Sequence, residues 1–378
     1  MNRTKVIVGI PSLNEEDSIA NVTDLVDQGL ASIYNPKICL IVNVDSDSTD
    51  RTQKVFNQTA TRCPKIQLVN KKIPRGKGSN LRLLWELALT TEAEAIITVD
   101  ADLKTIEPIW VKKLIGPILE DRCDYICPLY SRNRFEGSTT THLVVPLVWA
   151  KFQAPVRQPI GGEFALSRKV AKYLLKQQFP LDAYRYGIDV FMTMHALGGG
   201  FRVGETYLGR KFHKPSFPKI MPMFEQVAQT ALTVAKSYKY GDRANYVNLG
   251  EARRCGIDSQ AIYPGDDHIN RLVGQAKNNY WNHQKSLAKF LGPLTPRIND
   301  LMSNDKPEIS IADWLGILQS FYQQHDLQNN QAENEQKAGW LLAQLFICHV
   351  RSFWQLIKEL PVEQVEELIV SQTMGLRL

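Results

Sequence analysis

Residues 95–102 read Ala95-Ile96-Ile97-Thr98-Val99-Asp100-Ala101-Asp102. A short apolar and β-branched run of this kind suits a buried strand. It stops abruptly on two carboxylates, at a sheet edge that water, metal or substrate can reach. Side chains two apart on a strand share a face. One hard divalent cation could therefore meet both acids, directly or through water, and keep open positions for substrate phosphates. The bland alternative is a surface turn with two solvated acids, and Asp-x-Asp alone does not separate the two.

Working outward, the first half of the chain alternates strand and helix patterns. Strands are expected over 5–10, 38–44, 66–69, 95–99 and 125–130, and helices over 15–28, 50–60, 79–90 and 107–120. Asn14 is the expected N-cap of the first helix. This order predicts an α/β fold with a mostly parallel sheet flanked by helices. Ligands bind such sheets outside the carboxyl ends of the strands. The polar segments fall there: Pro11-Ser12-Leu13-Asn14-Glu15, Asp45-Ser46-Asp47-Ser48-Thr49-Asp50 and Asp100-Ala101-Asp102. From about 222 the pattern turns helical, with candidates over 224–238, 269–290, 311–322, 331–358 and 362–372. The expected division is an α/β domain over 1–220 and a helical C-terminal extension over 221–378. Trp340, Leu341, Leu342, Leu345, Phe346 and Trp354 form an apolar stripe at helical spacing. Core packing is its first reading and a homodimer interface its second.

The chain has 378 residues and a formal net charge of +6. That modest excess suits anionic ligands such as nucleotides or acidic metabolites. No nucleic-acid motif accompanies it. The six cysteines form no CxxC pair and no zinc spacing, and suit reduced buried thiols in a cytoplasmic protein. No apolar stretch approaches the ~20 residues of a membrane span, so no membrane partner is expected.

Four further segments carry chemistry. Pro74-Arg75-Gly76-Lys77-Gly78-Ser79-Asn80 is a basic glycine-flanked loop opening a helix, suited to a phosphate or diphosphate or simply to a solvated lysine. Gln158-Pro159-Ile160-Gly161-Gly162-Glu163 sets adjacent glycines before an acid among apolar residues, which asks for a partner. Tyr186-Gly187-Ile188-Asp189 opens an apolar helix, where Asp189 either caps the helix or faces a site. His213, in Lys211-Phe212-His213-Lys214, suits a third ligand beside a two-acid site, although a lone histidine is more often structural.

In this order the motifs resemble a GT-A glycosyltransferase, and within that fold the glucosyl-3-phosphoglycerate and mannosylglycerate synthases. The resemblance runs from about 5 to 215. It implies a retaining hexosyltransferase that uses Mg2+ or Mn2+, a nucleoside-diphosphate hexose donor and a small acidic acceptor, glycerate or 3-phosphoglycerate. It places Pro11, Leu13, Asn14, Glu15, Asp45, Ser46 and Lys77 on the nucleotide or diphosphate, with Asp100 and Ala101 opening the Asp-x-Asp element beside them. Asp102 and His213 would ligate the metal, and Glu163 and Asp189 would hold the donor sugar at the reacting carbon. Arg134, Thr139, Thr140, Thr141 and Gly161 would meet the acceptor. One departure matters: the phosphoglycerate-using enzymes carry Gly-Arg-x-Thr where this chain has Gly137-Ser138-Thr139-Thr140-Thr141, so Thr141 is kept and the arginine is lost. Rival readings are a sugar-nucleotide pyrophosphorylase, a transferase with a lipid-phosphate or polysaccharide acceptor, and a non-catalytic nucleotide-sugar sensor. The first is disfavoured because Pro11–Glu16 stands where its glycine-rich, arginine-bearing loop would be.

Overall fold

The computed structural model describes residues 4–72, 74–211, 219–239, 244–250, 257–258, 263, 265–325 and 337–378. The chain forms two compact units. The first comprises Met1–Ser131, Ala154–Ser216 and Arg243–Cys255; the second comprises Arg132–Gln153, Phe217–Asp242 and Gly256–Leu378. The single boundary expected near 220 is therefore replaced by an interleaved division. A helical segment from the middle of the chain packs with the C-terminal helices, a pairing that local sequence patterns do not encode.

The first unit is a sheet flanked by helices. Its strands are β1 (Val6–Ser12), β2 (Cys39–Asp45), β3 (Lys65–Val69), β4 (Ala95–Thr98), β5 (Tyr125–Asn133, whose last two residues belong to the second unit), β6 (Phe164–Ser167), β7 (Val203–Arg210) and β8 (Tyr246–Val247). Among the described residues the order is β3-β2-β1-β4-β6-β5-β7-β8. β3, β2, β1 and β4 run parallel, as expected for strands alternating with helices. The short β6 enters antiparallel between β4 and β5.

The helices of this unit are α1 (Ile19–Ile33), α2 (Thr52–Gln58), α3 (Lys77–Thr90), α4 (Pro108–Leu119), α6 (Arg168–Leu174) and α7 (Ile188–Gly198). The central strands read as near-continuous apolar runs because both faces are covered. On one face Val6, Val8, Ile10, Ile41 and Ile97 pack with Val22, Val26 and Leu30 of α1 and Trp110, Leu114 and Ile115 of α4. Pro108 starts α4, where its missing N–H costs nothing. Asn14, the expected cap of α1, instead adopts a left-handed φ of 57° four residues before the helix's N-cap position, Ser18.

The second unit is helical. It contains a π-helical turn (Thr140–Val144) running into α5 (Val145–Phe152), then α8 (Ile220–Lys236), α9 (Asp267–Asn282), α10 (Gln284–Leu291), α11 (Thr295–Ser303), α12 (Ile311–Gln324), α13 (Ala338–Ile357) and α14 (Val362–Gly375). The helix expected over 269–290 breaks at His283 into α9 and α10. α13 is buried almost all round, including Gln344, His349 and Arg351, as befits a central helix. Its expected stripe is core: Phe346 stacks on Phe224 of α8, and Leu341, Leu342, Leu345 and Trp354 are buried. No helix among the described residues is long and apolar enough to cross a membrane. Cys39, Cys63, Cys123, Cys127 and Cys348 are buried free thiols.

Candidate active site

The loops after β1 and β2 are fastened to each other. Asp45, the last residue of β2, is wholly buried. Its Oδ2 accepts from Ser12 Oγ (2.9 Å) and Ser48 Oγ (2.6 Å), and its Oδ1 accepts from the Ser48 amide (2.7 Å) and Gln53 Nε2 (2.8 Å). Further bonds cross between the loops: the Asn14 amide donates to Ser48 Oγ, the Thr49 amide to Asn14 Oδ1, the Glu15 amide to Thr52 Oγ1, and the Glu16 amide to Asp50 Oδ2. Ser46 is also buried, its hydroxyl accepting from Asn80 Nδ2 at 2.9 Å. Asp45 and Ser46, expected on the nucleotide, stand at the end of β2 beneath these loops, Asp45 with no exposed surface and four donors around it. Pro11 is buried at the end of β1, Glu15 is half-buried, and Leu13 and Asn14 are exposed on the loop that follows.

Beyond β4 lies a chain of alternating charges. Lys77, in the first turn of α3, places Nζ 2.8 Å from Asp100 Oδ1 and 3.1 Å from Asp189 Oδ1. Lys211, just past β7, places Nζ 2.8 Å and 3.0 Å from the two oxygens of Glu163 and 3.7 Å from Asp100 Oδ2. Lys211 also donates to the Gly161 carbonyl at 2.8 Å, and the Tyr130 hydroxyl donates to Glu163 Oε2. The order is Tyr130, Glu163, Lys211, Asp100, Lys77, Asp189.

Glycine is required at two points of this arrangement. Gly78 lets α3 approach the 181–184 turn, where a Cβ would stand 1.9 Å from the Ala183 carbonyl oxygen. Gly162 has φ +101°, and a Cβ there would stand 2.4 Å from Asp100 Oδ2 and 2.7 Å from Lys211 Nζ. The backbone approach foreseen for the Gly161-Gly162 pair is thus an approach to the protein's own charged groups.

Burial disfavours charge on both Glu163 and Asp189 and raises their carboxyls above the usual range, against the pull of Lys211 and Lys77 respectively. Burial alone would lower the Lys77 ammonium, but Asp100 and Asp189 outweigh it and hold it above the ordinary lysine range. Lys77 is therefore a fixed cation at the carboxyl end of the sheet.

Glu163 was expected on the donor sugar. Its carboxylate has no exposed surface, and both its oxygens are occupied. Asp189 and Lys77, at 13% and 16% side-chain exposure, do reach solvent. Sequence reading missed Lys211 and Tyr130 altogether. The signal available for Lys211 was its place at the end of an alternating strand, one residue before Phe212.

Ala101 is buried, and Asp102 beside it is half-buried. No described residue makes a hydrogen bond or ion pair with the Asp102 carboxylate, whereas Asp100 is held by two ammonium groups. A carboxylate that meets no described residue, beside a charged strand end, fits a divalent cation. His213 lies outside the described residues, and among the described residues no three His, Cys, Asp or Glu side chains gather as a metal cluster.

Arg134, Thr139, Thr140 and Thr141 belong to the second unit, and Gly161 to the first. Arg134 Nη1 donates to the carbonyls of Leu360 (2.6 Å) and Ile357 (3.2 Å) at the end of α13, a cation at a helix C-terminus. Thr140 is buried, and Thr139 and Thr141 are half-buried, as the helix passes into its π turn. A π turn leaves carbonyls to be satisfied from outside. Here Gln372 Nε2 donates to Thr141 O at 3.0 Å and Trp314 Nε1 to His142 O at 2.7 Å.

Residues 7–170, from β1 into α6, match the family model described as glycosyl transferase family 2. That stretch is similar to glycosyl transferase family 2 domains. The glucosyl-3-phosphoglycerate synthase of Mycolicibacterium smegmatis is 27% identical over 290 residues, spanning 71% of this chain and 85% of that protein. The mannosylglycerate synthase of Rhodothermus marinus is 27% identical over 143 residues, 35% of this chain and 34% of its own length. Among solved structures, the Mycobacterium tuberculosis glucosyl-3-phosphoglycerate synthase in complex with Mn2+, UDP-glucose and phosphoglyceric acid aligns with a TM-score of 0.50 at 23% identity. That alignment covers 63% of this chain and 81% of the other, and shows that the two share the GT-A fold. The family 2 match includes Lys77, Asp100, Asp102 and Glu163 and stops short of Asp189, Lys211 and His213.

Proposed function

We propose that this protein transfers a hexose, glucose or mannose, from a nucleoside-diphosphate sugar to glycerate or 3-phosphoglycerate, with Mg2+ or Mn2+ and with retention at the anomeric carbon. The observation that carries the reading is a fixed cation near a carboxylate that meets no described residue: Lys77 locked between Asp100 and Asp189, with Asp102 two residues past Asp100. The names of the relatives supply the donor and acceptor classes, and the resemblance supplies retention.

In this reading Pro11, Leu13, Asn14 and Glu15 border the nucleotide. Asp45 and Ser46 serve it by fixing those loops. Lys77 meets the diphosphate, and its fixed charge stabilises the departing nucleoside diphosphate without reorganising as charge develops. Asp102 and His213 hold the divalent cation, which when bound neutralises the same developing charge. Asp189 faces the donor sugar from the start of α7. The hydroxyl-rich stretch lacking an arginine favours glycerate over its phosphorylated form, because a phosphate is ordinarily met by a bidentate guanidinium.

The test is a turnover screen crossing UDP-glucose, GDP-glucose and GDP-mannose with glycerate, 3-phosphoglycerate and no acceptor, in Mg2+, Mn2+ or EDTA. Acceptor-dependent release of nucleoside diphosphate, lost in EDTA and in Asp102→Ala, is expected. Nucleotide-sugar binding without release under any combination would overturn transfer to glycerate or its phosphate. Full release in EDTA would overturn the metal.

A further inference from the structure

Glu163 is a fully enclosed charge in the first unit. Its side chain has no exposed surface. Lys211 Nζ stands 3.0 Å from Oε1 and 2.8 Å from Oε2, and the Tyr130 hydroxyl donates to Oε2 as well. Tyr130 is itself held. Its amide donates to Gln158 Oε1 (3.3 Å), Gln158 Nε2 donates back to its carbonyl (2.8 Å), and its ring packs 5.4 Å from that of Trp110. Lys211 Nζ lies 5.4 Å from the centre of the same Tyr130 ring. A buried carboxylate with this supply of donors is satisfied and has no reason to reach a ligand.

The ammonium on the other side of the pair is more telling. Lys211 has 5% side-chain exposure. Its remaining directions go to Gly161 O at 2.8 Å and toward Asp100 Oδ2 at 3.7 Å. Asp100 is thereby flanked by Lys211 on Oδ2 and Lys77 on Oδ1. The glycine at 162 keeps this approach open, since a side chain there would enter the space between Asp100 and Lys211.

We propose that Glu163 does not touch the donor sugar. It is the counter-ion that seats Lys211, and Lys211 with Tyr130 acts as a positioning group for Asp100. This deepens the proposed function and rests on it, since it reassigns a residue expected at the sugar to the support beneath the site.

The experiment has two arms on the full chain. The first is an unfolding cycle with Glu163→Gln, Lys211→Met and the double variant, followed by thermal denaturation. Removing one member of a buried pair strands the other, so each single variant should lose several degrees of midpoint, and the double variant should be no worse than Lys211→Met. Additive losses would overturn the pairing. The second arm measures, by calorimetry, the ratio of UDP-glucose to UDP affinity, and of GDP-mannose to GDP affinity, in wild type, Glu163→Gln and Tyr130→Phe. A residue that contacts the hexose should change that ratio. Here the ratio should stay within about twofold of wild type in both variants. A tenfold fall in Glu163→Gln with nucleoside-diphosphate affinity intact would put Glu163 back on the sugar. A wild type that binds no nucleotide sugar would refute the proposed function alone, and the unfolding cycle would still decide the role of Glu163.

Discussion

Ser12 and Asp45 face each other in register at the carboxyl ends of β1 and β2, and the Ser12 hydroxyl donates to the Asp45 carboxylate over 2.9 Å. The same hydroxyl accepts from Asn43 Nδ2 at 2.8 Å, so three residues on adjacent strands share one polar knot beneath the loops. The two loops that border the nucleotide pocket in the proposed function are therefore set by the sheet.

Asp45→Ala should accordingly act on stability. It strands the Ser12 and Ser48 hydroxyls, the Ser48 amide and the Gln53 amide group, and a loss of roughly 2–4 kcal/mol follows from leaving buried donors unmade. The denaturant midpoint checks this. A fall in nucleotide affinity with an unchanged midpoint would instead make Asp45 a ligand group.

Lys77→Met should weaken nucleotide-sugar binding by about 1.5–3 kcal/mol, roughly 10- to 150-fold, the range for hydrogen bonds to charged groups. It should also lower the unfolding midpoint, because Asp100 and Asp189 lose their shared cation. Since those carboxylates hold the Lys77 ammonium above its ordinary range, wild-type affinity should show no loss from this group up to the usual lysine pKa. Calorimetry across pH 6–9 tests both statements; unchanged affinity in the variant would return Lys77 to a purely structural role.

A pair of buried histidines in the second unit should make the protein acid-sensitive. His349 Nδ1 faces the Ile309 carbonyl at 3.0 Å and so carries the proton, leaving Nε2 to accept from His142 Nδ1 at 3.2 Å. Burial holds His142 well below the usual histidine range and His349 at about 4. The folded state thus refuses protons that the unfolded chain takes up near its ordinary pKa of about 6.5. Stability from this pair is full above about 6.5 and falls as pH drops from there toward 4. The unfolding midpoint should decline between pH 7.5 and 5, and less steeply in His349→Gln. Equal slopes in the two proteins would exclude the pair.

The alternation of strands and helices was legible because β1, β2 and β4 are buried on both faces and read as unbroken apolar runs. The carboxyl-end loops were legible for a related reason, since polar residues following such runs have to stand at a sheet edge. Two kinds of feature were not. One is burial of polar groups: nothing in the sequence marks Asp45 and Glu163 as fully buried among donors, and only their neighbours in space reveal it. The other is partnership across long separations. Lys211 meets Glu163 from 48 positions away, and Gln372 meets Thr141 from 231. The helix break at His283 was missed because α9 and α10 present continuous amphipathic patterns on either side of it.

The interleaving of the two units bears on how the chain could be cut or exchanged. Leu143, Val144, Leu147, Val148 and Phe152 are fully buried in the second unit, where the π turn and α5 pack with α8 and α14. A fragment ending near 220 would carry this apolar helix without most of α8 and without α14, and would expose it to water. A transplant of the C-terminal helices onto a relative would arrive without the segment they fold around. Neither unit is therefore a cassette, and recombination that shuffles one contiguous block should yield insoluble chains unless residues 132–153 travel with the helices.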